Sequence, residues 1–242
     1  DHASDLSVID GLMRDVAAAV SREAVVVILS QVPPGFTRRI AQEHRALAGR
    51  LFYQVETLIF GQAVERALKP ERLIVGCADR RSPLPAAYAD WLKAFGCPIL
   101  PMRYESAELA KISINMLLVS SVAVTNTLAE LCEAIGAEWS DIVPALRLDR
   151  RIGPHAYLTP GLGLAGGNLE RDLMTVKRLA AHFGTDAGLV DAWLANSRYR
   201  RDWVLRMLHA EVLSTVRDPL IALWGLAYKP GTNSMKHAPA LA

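Results

Sequence analysis

The sequence predicts an α/β protein: a partial parallel sheet, then a helical middle built on one long helix, then a single strand that opens a second α/β unit. Three observations carry this reading. The runs Ala24–Leu29 (AVVVIL) and Leu73–Gly76 (LIVG) are apolar throughout, as strands covered on both faces are. They alternate with stretches of helical periodicity, the rhythm of α/β folds. That alternation stops after Met102, and Ser106–Ile135 then reads as one uninterrupted helix.

Taken in order, Asp5–Val20 places Leu6, Ile9, Leu12, Met13, Val16 and Val20 at helical spacing, with Asp5 as its N-cap. The first strand ends at Ser30-Gln31-Val32-Pro33-Pro34-Gly35, and Phe36–Arg50 reads as a helix. Leu73–Gly76 is a second strand, Ser82–Phe95 a helix, and Pro98–Met102 a third, short strand. Gly136 stops the long helix. Ser140–Leu146 is a shorter helix, and Ile152–Leu169 is rich in Gly and Pro and free of charge. Glu170–Phe183 and Asp186–Thr215 read as two further helices, and Leu220–Tyr228 (LIALWGLAY) as a last strand that needs sheet partners. The domains expected are 1–103, 104–217 and 218–242.

Composition excludes several classes. The 242 residues are 51% hydrophobic and 21% charged, which is globular composition. Twenty-seven Lys and Arg against 25 Asp and Glu leave a net charge of +2, with no broad basic field for nucleic acid. Cys77, Cys97 and Cys132 form no CxxC pair, which argues against a disulfide framework or a cysteine zinc site and fits a reducing, cytoplasmic compartment. Ile112–Ala129 lacks charge but holds Ser113, Asn115, Ser120, Ser121, Thr125, Asn126 and Thr127, so it reads as a buried helix and not a membrane span. Its apolar residues fall on more than one face, and a second copy of the chain would cover what the first leaves open. Asp191–Leu213 mixes Trp193, Tyr199 and Trp203 with Arg198, Arg200, Arg201 and Arg206; its interleaved apolar residues make it a packed helix with a solvated face. The chain starts at Asp1 with no initiator Met and no signal peptide, as expected of a stretch from the middle of a longer protein.

Five blocks, in order, resemble the UDP-glucose/GDP-mannose dehydrogenase family: SQVPPGFTRRI (Ser30–Ile40), VETLIFGQAVERALKPERLIVG (Val55–Gly76), ESAELAKISIN (Glu105–Asn115), RLDRRIGPHAYLTPGLGLAGGNLERD (Arg147–Asp172) and GLAYKPGTNSMKHAP (Gly225–Pro239). The resemblance implies a Rossmann-like NAD-binding domain, a central helical dimerisation domain and a second Rossmann-like domain for the nucleotide sugar. Set against that plan the chain lacks GxGxxG, the βα turn that holds the pyrophosphate, and most of the last domain. It is expected to be a fragment, or a truncation that does not bind NAD in the usual way.

By the same resemblance, Lys111 and Asn115 are catalytic and share a helix face four residues apart, where both donate to an oxyanion. Asp172 is the water-activating aspartate, and Glu56 an acid near the reacting carbon. Arg151, Lys229 and the glycines Gly161, Gly163 and Gly166 approach the nucleotide sugar, Arg151 across a dimer. Ser30, Gln31, Val32 and Glu56 border the NAD. No metal is implied.

The departures concentrate at the site. Asn168 stands where the family's nucleophilic cysteine belongs, Gln31 replaces a Thr, Phe60 an acid and Lys236 an Arg. A carboxamide cannot trap an aldehyde as a thiohemiacetal, because its nitrogen lone pair is delocalised. Three readings follow for the full protein: an oxidoreductase of altered outcome, stopping after one hydride step or acting as an epimerase; a noncatalytic homologue that binds a nucleotide sugar or supports assembly; or a uronate-forming dehydrogenase whose second step uses water alone.

Overall fold

The computed structural model describes residues 5–59, 61–165, 167–227, 231–235 and 238–241. By its internal contacts the chain divides into two units, Ala3–Ile114 and Asn115–Ala242, with the division inside the long helix.

The first unit is built on four strands, β1 (Val26–Ile28), β2 (Leu51–Gln54), β3 (Leu73–Cys77) and β4 (Ile99–Arg103), in the spatial order β1-β2-β3-β4. Helices α1 (Ser7–Ala19), α2 (Phe36–Glu43), α3 (Ala63–Leu68) and α4 (Ala86–Lys93) belong to it, with the start of α5 (Tyr104–Ile135). The apolar runs are explained by their alternation. Val26, Ile28, Tyr53 and Ile74 join a core with Met13 of α1, Phe36 and Ile40 of α2, and Tyr104 and Ala107 of α5. Phe52, Leu73 and Val75 join a second core with Tyr88 and Leu92 of α4. Both sheet faces are therefore dry, and burial is the main term holding them. Gly76 permits this packing: a Cβ there would lie 3.0 Å from the Cβ of Ala107.

Two expectations are corrected here. The sheet is not wholly parallel: β1 pairs with β2 and β3 with β4 in parallel, but β2 and β3 run antiparallel through Tyr53↔Gly76 and Gln54↔Val75. Phe36–Arg50 is not one helix either. It ends at Glu43, a 3-10 turn follows at Arg45–Leu47, Gly49 takes a positive φ of 79°, and the chain enters the unforeseen strand β2.

The second unit holds the rest of α5 with α6 (Trp139–Leu148), α7 (Asn168–Phe183), α8 (Gly188–Arg201) and α9 (Trp203–Leu208), then a π-helical turn at His209–Leu213. Its core gathers Val119 of α5, Leu164, Leu173 of α7 and Val190 of α8. Gly136 ends α5 at φ 72°, as foreseen. The single helix expected over Asp186–Thr215 breaks at Asp202. Arg200, assigned above to a solvated face, is buried. The last strand expected over Leu220–Tyr228 is corrected: the described residues 220–227 form no strand, since they pair with no other strand, and Leu220 and Trp224 are exposed. By length and composition alone α5 could cross a membrane. Its Asn115, Thr125 and Asn126 are instead buried and hydrogen-bonded to other parts of the second unit, as in the core helix of a folded domain.

Candidate functional site

In the second unit, α5 and α7 bring two of the anticipated residues together across 57 positions of sequence: Asn115 Nδ2 donates to Asp172 Oδ2 at 2.5 Å. Asp172 is 2% exposed, and the Arg171 guanidinium stands 3.9 Å from its other oxygen. A buried carboxylate needs such donors, since an uncompensated charge is expelled from low dielectric. Asn168 is the first residue of α7, after Gly167 at φ 76°, and its side chain is exposed. It precedes Asp172 by one helical turn, so both lie on one face of α7. Cys132, the only cysteine after Asn115, is buried in α5 about 25 Å further along the helix. It does not lie beside Asn115 and Asp172.

The glycine segment before α7 is fastened. Gly161 donates its N–H to Asn126 Oδ1 at 2.7 Å, and its carbonyl accepts from Arg200 Nε at 2.9 Å. Gly163 has φ 85°, and a Cβ there would lie 2.6 Å from the Ser197 carbonyl oxygen. Leu164 N–H reaches Ser197 Oγ at 2.8 Å. Glu130 accepts from Arg200 at 3.1 Å, from Arg206 at 2.6 Å and from Tyr199 at 3.2 Å. Burial pushes the Glu130 carboxyl up, but these donors outweigh it and hold it below the usual range. The sequence pointed at the glycines and not at Asn126, Ser197 or Arg200. The available signal was Asn126 itself, an amide in an uncharged helix. Arg151 is apart from this group: it is exposed and paired with Asp149 at 2.6 Å, which raises its pKa and lowers that of Asp149. Gly166, Lys229, Phe60 and Lys236 lie outside the described residues.

The first unit carries the other anticipated residues. Ser30, Gln31 and Val32 follow β1; Ser30 is exposed and Val32 buried. Glu56 follows β2, is exposed, and accepts the Leu58 N–H at 3.2 Å. Lys111 is half-buried on α5. The unforeseen member is Glu108, fully buried, whose carboxylate accepts the N–H of Gly35 at 2.6 Å and of Thr37 at 2.8 Å. It thereby caps the N-terminus of α2 from a distance. Burial drives its pKa up despite these donors. Beside it Arg38 pairs with Glu105 at 2.8 Å and lies over the Tyr104 ring. Among the described residues no cluster of His, Cys, Asp and Glu could hold a metal ion.

Residues 105–198 match the central-domain model of the UDP-glucose/GDP-mannose dehydrogenase family. The chain is 28% identical to UDP-glucose 6-dehydrogenase TuaD of Bacillus subtilis over 98% of its own length and 52% of the relative's. It is 28% identical to the UDP-glucose 6-dehydrogenase of Pseudomonas aeruginosa over all of its own length and 55% of that protein. A UDP-glucose dehydrogenase structure from Pyrobaculum islandicum superposes with a TM-score of 0.86 at 28% identity, over 100% of this chain and 57% of that one. A UDP-D-ManNAc dehydrogenase structure from Pyrococcus horikoshii gives 0.82 at 25% identity, over 99% and 58%. The chain thus spans about half the length of the relatives it matches. With the α/β order, the Asn115–Asp172 pair and the glycine segment ahead of α7, these likenesses make residues 105–198 similar to the central domain of the UDP-glucose/GDP-mannose dehydrogenase family, and the chain similar in fold to UDP-sugar dehydrogenases.

Proposed function

We propose that this chain is part of an NAD-dependent oxidoreductase acting on a CH–OH group of a UDP- or GDP-linked sugar, with an outcome altered to a single hydride step or an epimerisation. The observation that carries it is the end of α7: Asn168 opens the helix one turn before the buried Asp172 that Asn115 holds. The carbon chemistry needs donors for a developing oxyanion and a carboxylate to manage water. Asn115 keeps a second amide hydrogen after bonding Asp172, and Lys111 lies one turn before it on α5, so the two are the oxyanion donors. Asp172 is the carboxylate that holds water or a proton. Asn168 cannot form the thiohemiacetal, so the second oxidation loses its covalent intermediate and the aldehyde or keto sugar is released or reduced back.

NAD supplies the hydride acceptor when bound. The described residues fit only its margin, at Ser30, Gln31, Val32 and Glu56. The N-terminus of α2, where a phosphate would be expected to dock, is already occupied by the Glu108 carboxylate. The pyrophosphate therefore needs residues outside this chain. Gly161, Gly163, Gly166, Arg151 and Lys229 are assigned to the nucleotide sugar. A homodimer through α5 fits the exposed stripe Leu117, Val124, Leu128, Leu131 and Ile135, whose spacing is near seven residues per two turns. The compartment proposed is the cytoplasm.

The test uses the longer protein that contains this chain, with UDP- and GDP-sugars and NAD, following NADH. One NADH per sugar, or epimerisation without net NADH, supports the reading. Two NADH per sugar overturns the role given to Asn168, and tight sugar binding without turnover makes the protein a binding homologue. Asn168→Cys is expected to restore second-step oxidation; a folded variant without that gain removes Asn168 from the nucleophile's position.

A further inference from the structure

We infer that Asn126, Ser197 and Arg200 are positioning residues that lock the backbone of Gly161–Leu164, and through it the start of α7 with Asn168, without touching substrate; this rests on the reading above. Gly161 is held at both backbone polar groups, its N–H by Asn126 Oδ1 from α5 and its carbonyl by Arg200 Nε from α8. Three residues on, the Leu164 N–H is held by Ser197 Oγ, also on α8. Gly163 packs so closely on Ser197 that no side chain fits between them. A loop without regular structure thus has two amides and one carbonyl bonded to two helices.

The clamp is built of buried groups, and one of them, Arg200, is fixed by its own partners. Asn126 is 1% exposed, and its Nδ2 has no hydrogen-bond partner. Its Oδ1, the atom that takes the Gly161 N–H at 2.7 Å, is thus held out of water on the buried side of α5. Arg200 is 5% exposed; Glu130 fixes one end of its guanidinium at 3.1 Å, and the Trp203 ring lies 4.8 Å away. Its Nε is thereby aimed at the loop by a second ion-paired residue, since Arg206 also holds Glu130, at 2.6 Å. Only three residues separate Leu164 from Asn168, so slack in the clamp is expected to reach the start of α7.

Hydrogen exchange on this chain tests the clamp without any activity. The amides of Gly161 and Leu164 are expected to be protected although they lie in a loop. Ser197→Ala and Arg200→Lys are expected to lose that protection, by about tenfold or more in exchange rate, with the α5 and α8 amides unchanged. Arg200→Lys keeps a positive charge near Glu130 but puts a methylene where Nε was and loses the guanidinium fork, so the unchanged α5 and α8 amides are what separate clamping from folding. Unchanged protection in both variants overturns the inference. In the longer protein, the same variants are expected to lower kcat about 10- to 100-fold, with KM for the nucleotide sugar moving less than threefold and the pH profile unmoved. Lost protection with unchanged kcat overturns the positioning role. If the wild-type protein turns nothing over, the function proposed above fails, and nucleotide-sugar affinity replaces kcat as the readout: weaker binding in both variants supports the clamp, and equal binding refutes it.

Discussion

The sheet unit and the helical unit each tie a loop to α5, and they do it with opposite electrostatics. In the first, a fully buried carboxylate, Glu108, accepts two backbone N–H groups at the start of α2. In the second, a neutral amide takes the Gly161 N–H, while charge is confined to Glu130 and its two arginines. Burial therefore raises the Glu108 pKa, and the arginines lower that of Glu130. Two differences separate the carboxylates: Glu108 is fully buried and faces backbone amides, whereas Glu130 is half-buried and faces two guanidinium groups. Two good amide donors are not enough to offset desolvation.

The largest effects should come from the cores that hold the two loops in place. Leu92→Ala in the sheet unit and Leu173→Ala in the helical unit each empty a fully buried position and are expected to cost about 2–5 kcal/mol, read by denaturant unfolding. A loss below 1 kcal/mol in either would mean that unit relaxes around the cavity, and the contrast between two rigid anchors would fail.

Next comes the carboxylate itself. Glu108→Gln keeps the shape but turns one acceptor into a donor facing an N–H, and is expected to cost about 1–3 kcal/mol at neutral pH. Equal stability would show that α2 does not depend on this cap.

The pH dependence sharpens the comparison further. Glu108 has a folded pKa above the ordinary 4.5, so its contribution is full below 4.5 and lost as pH rises through the raised value. Glu130 has a folded pKa below 4.5, so its contribution is present above 4.5 and lost as pH falls through the lowered value. Unfolding measured from pH 3 to 8 is expected to show opposite changes of slope for Glu108→Gln and Glu130→Gln. Changes of the same sign would refute the contrast.

The smallest effect is expected at Arg151, exposed and paired only with Asp149. Arg151→Ala is expected to leave the melting temperature of this chain unchanged. A clear drop would mean that this surface pair stabilises the helical unit. In the longer protein the same variant is expected to weaken nucleotide-sugar binding if Arg151 has the role proposed for it.

What the residues announced, and what they hid, follows from the range of the forces involved. Helix α5 was legible because periodicity and the Gly136 stop are local, and β1 and β3 because a covered strand is apolar throughout; β4, which is half-exposed and ends in Arg103, was legible only as the short run Pro98–Met102. Strand β2 was hidden: LFYQ is short, and it follows a helix whose true end is marked only by the positive φ of Gly49. The antiparallel step between β2 and β3 was equally invisible, since pairing direction is set by neighbours far along the chain. In the helical unit, the block resemblances pointed to Asn115, Asp172 and Asn168, of which the first two are hydrogen-bonded. Glu108, Asn126, Ser197 and Arg200 passed unremarked, because a polar residue in an apolar helix looks the same whether it grips a backbone amide or faces solvent.

The sequence by itself determined the α/β class and the long central helix, both of which are carried by residue identity and local spacing. Only the tertiary structure decided that Asn115 and Asp172 meet at 2.5 Å across 57 positions, and that a buried carboxylate holds one loop while an amide, a serine and an arginine hold the other. Hydrogen bonds between distant segments exist only once packing has brought their helices together and excluded the water that would otherwise take each partner.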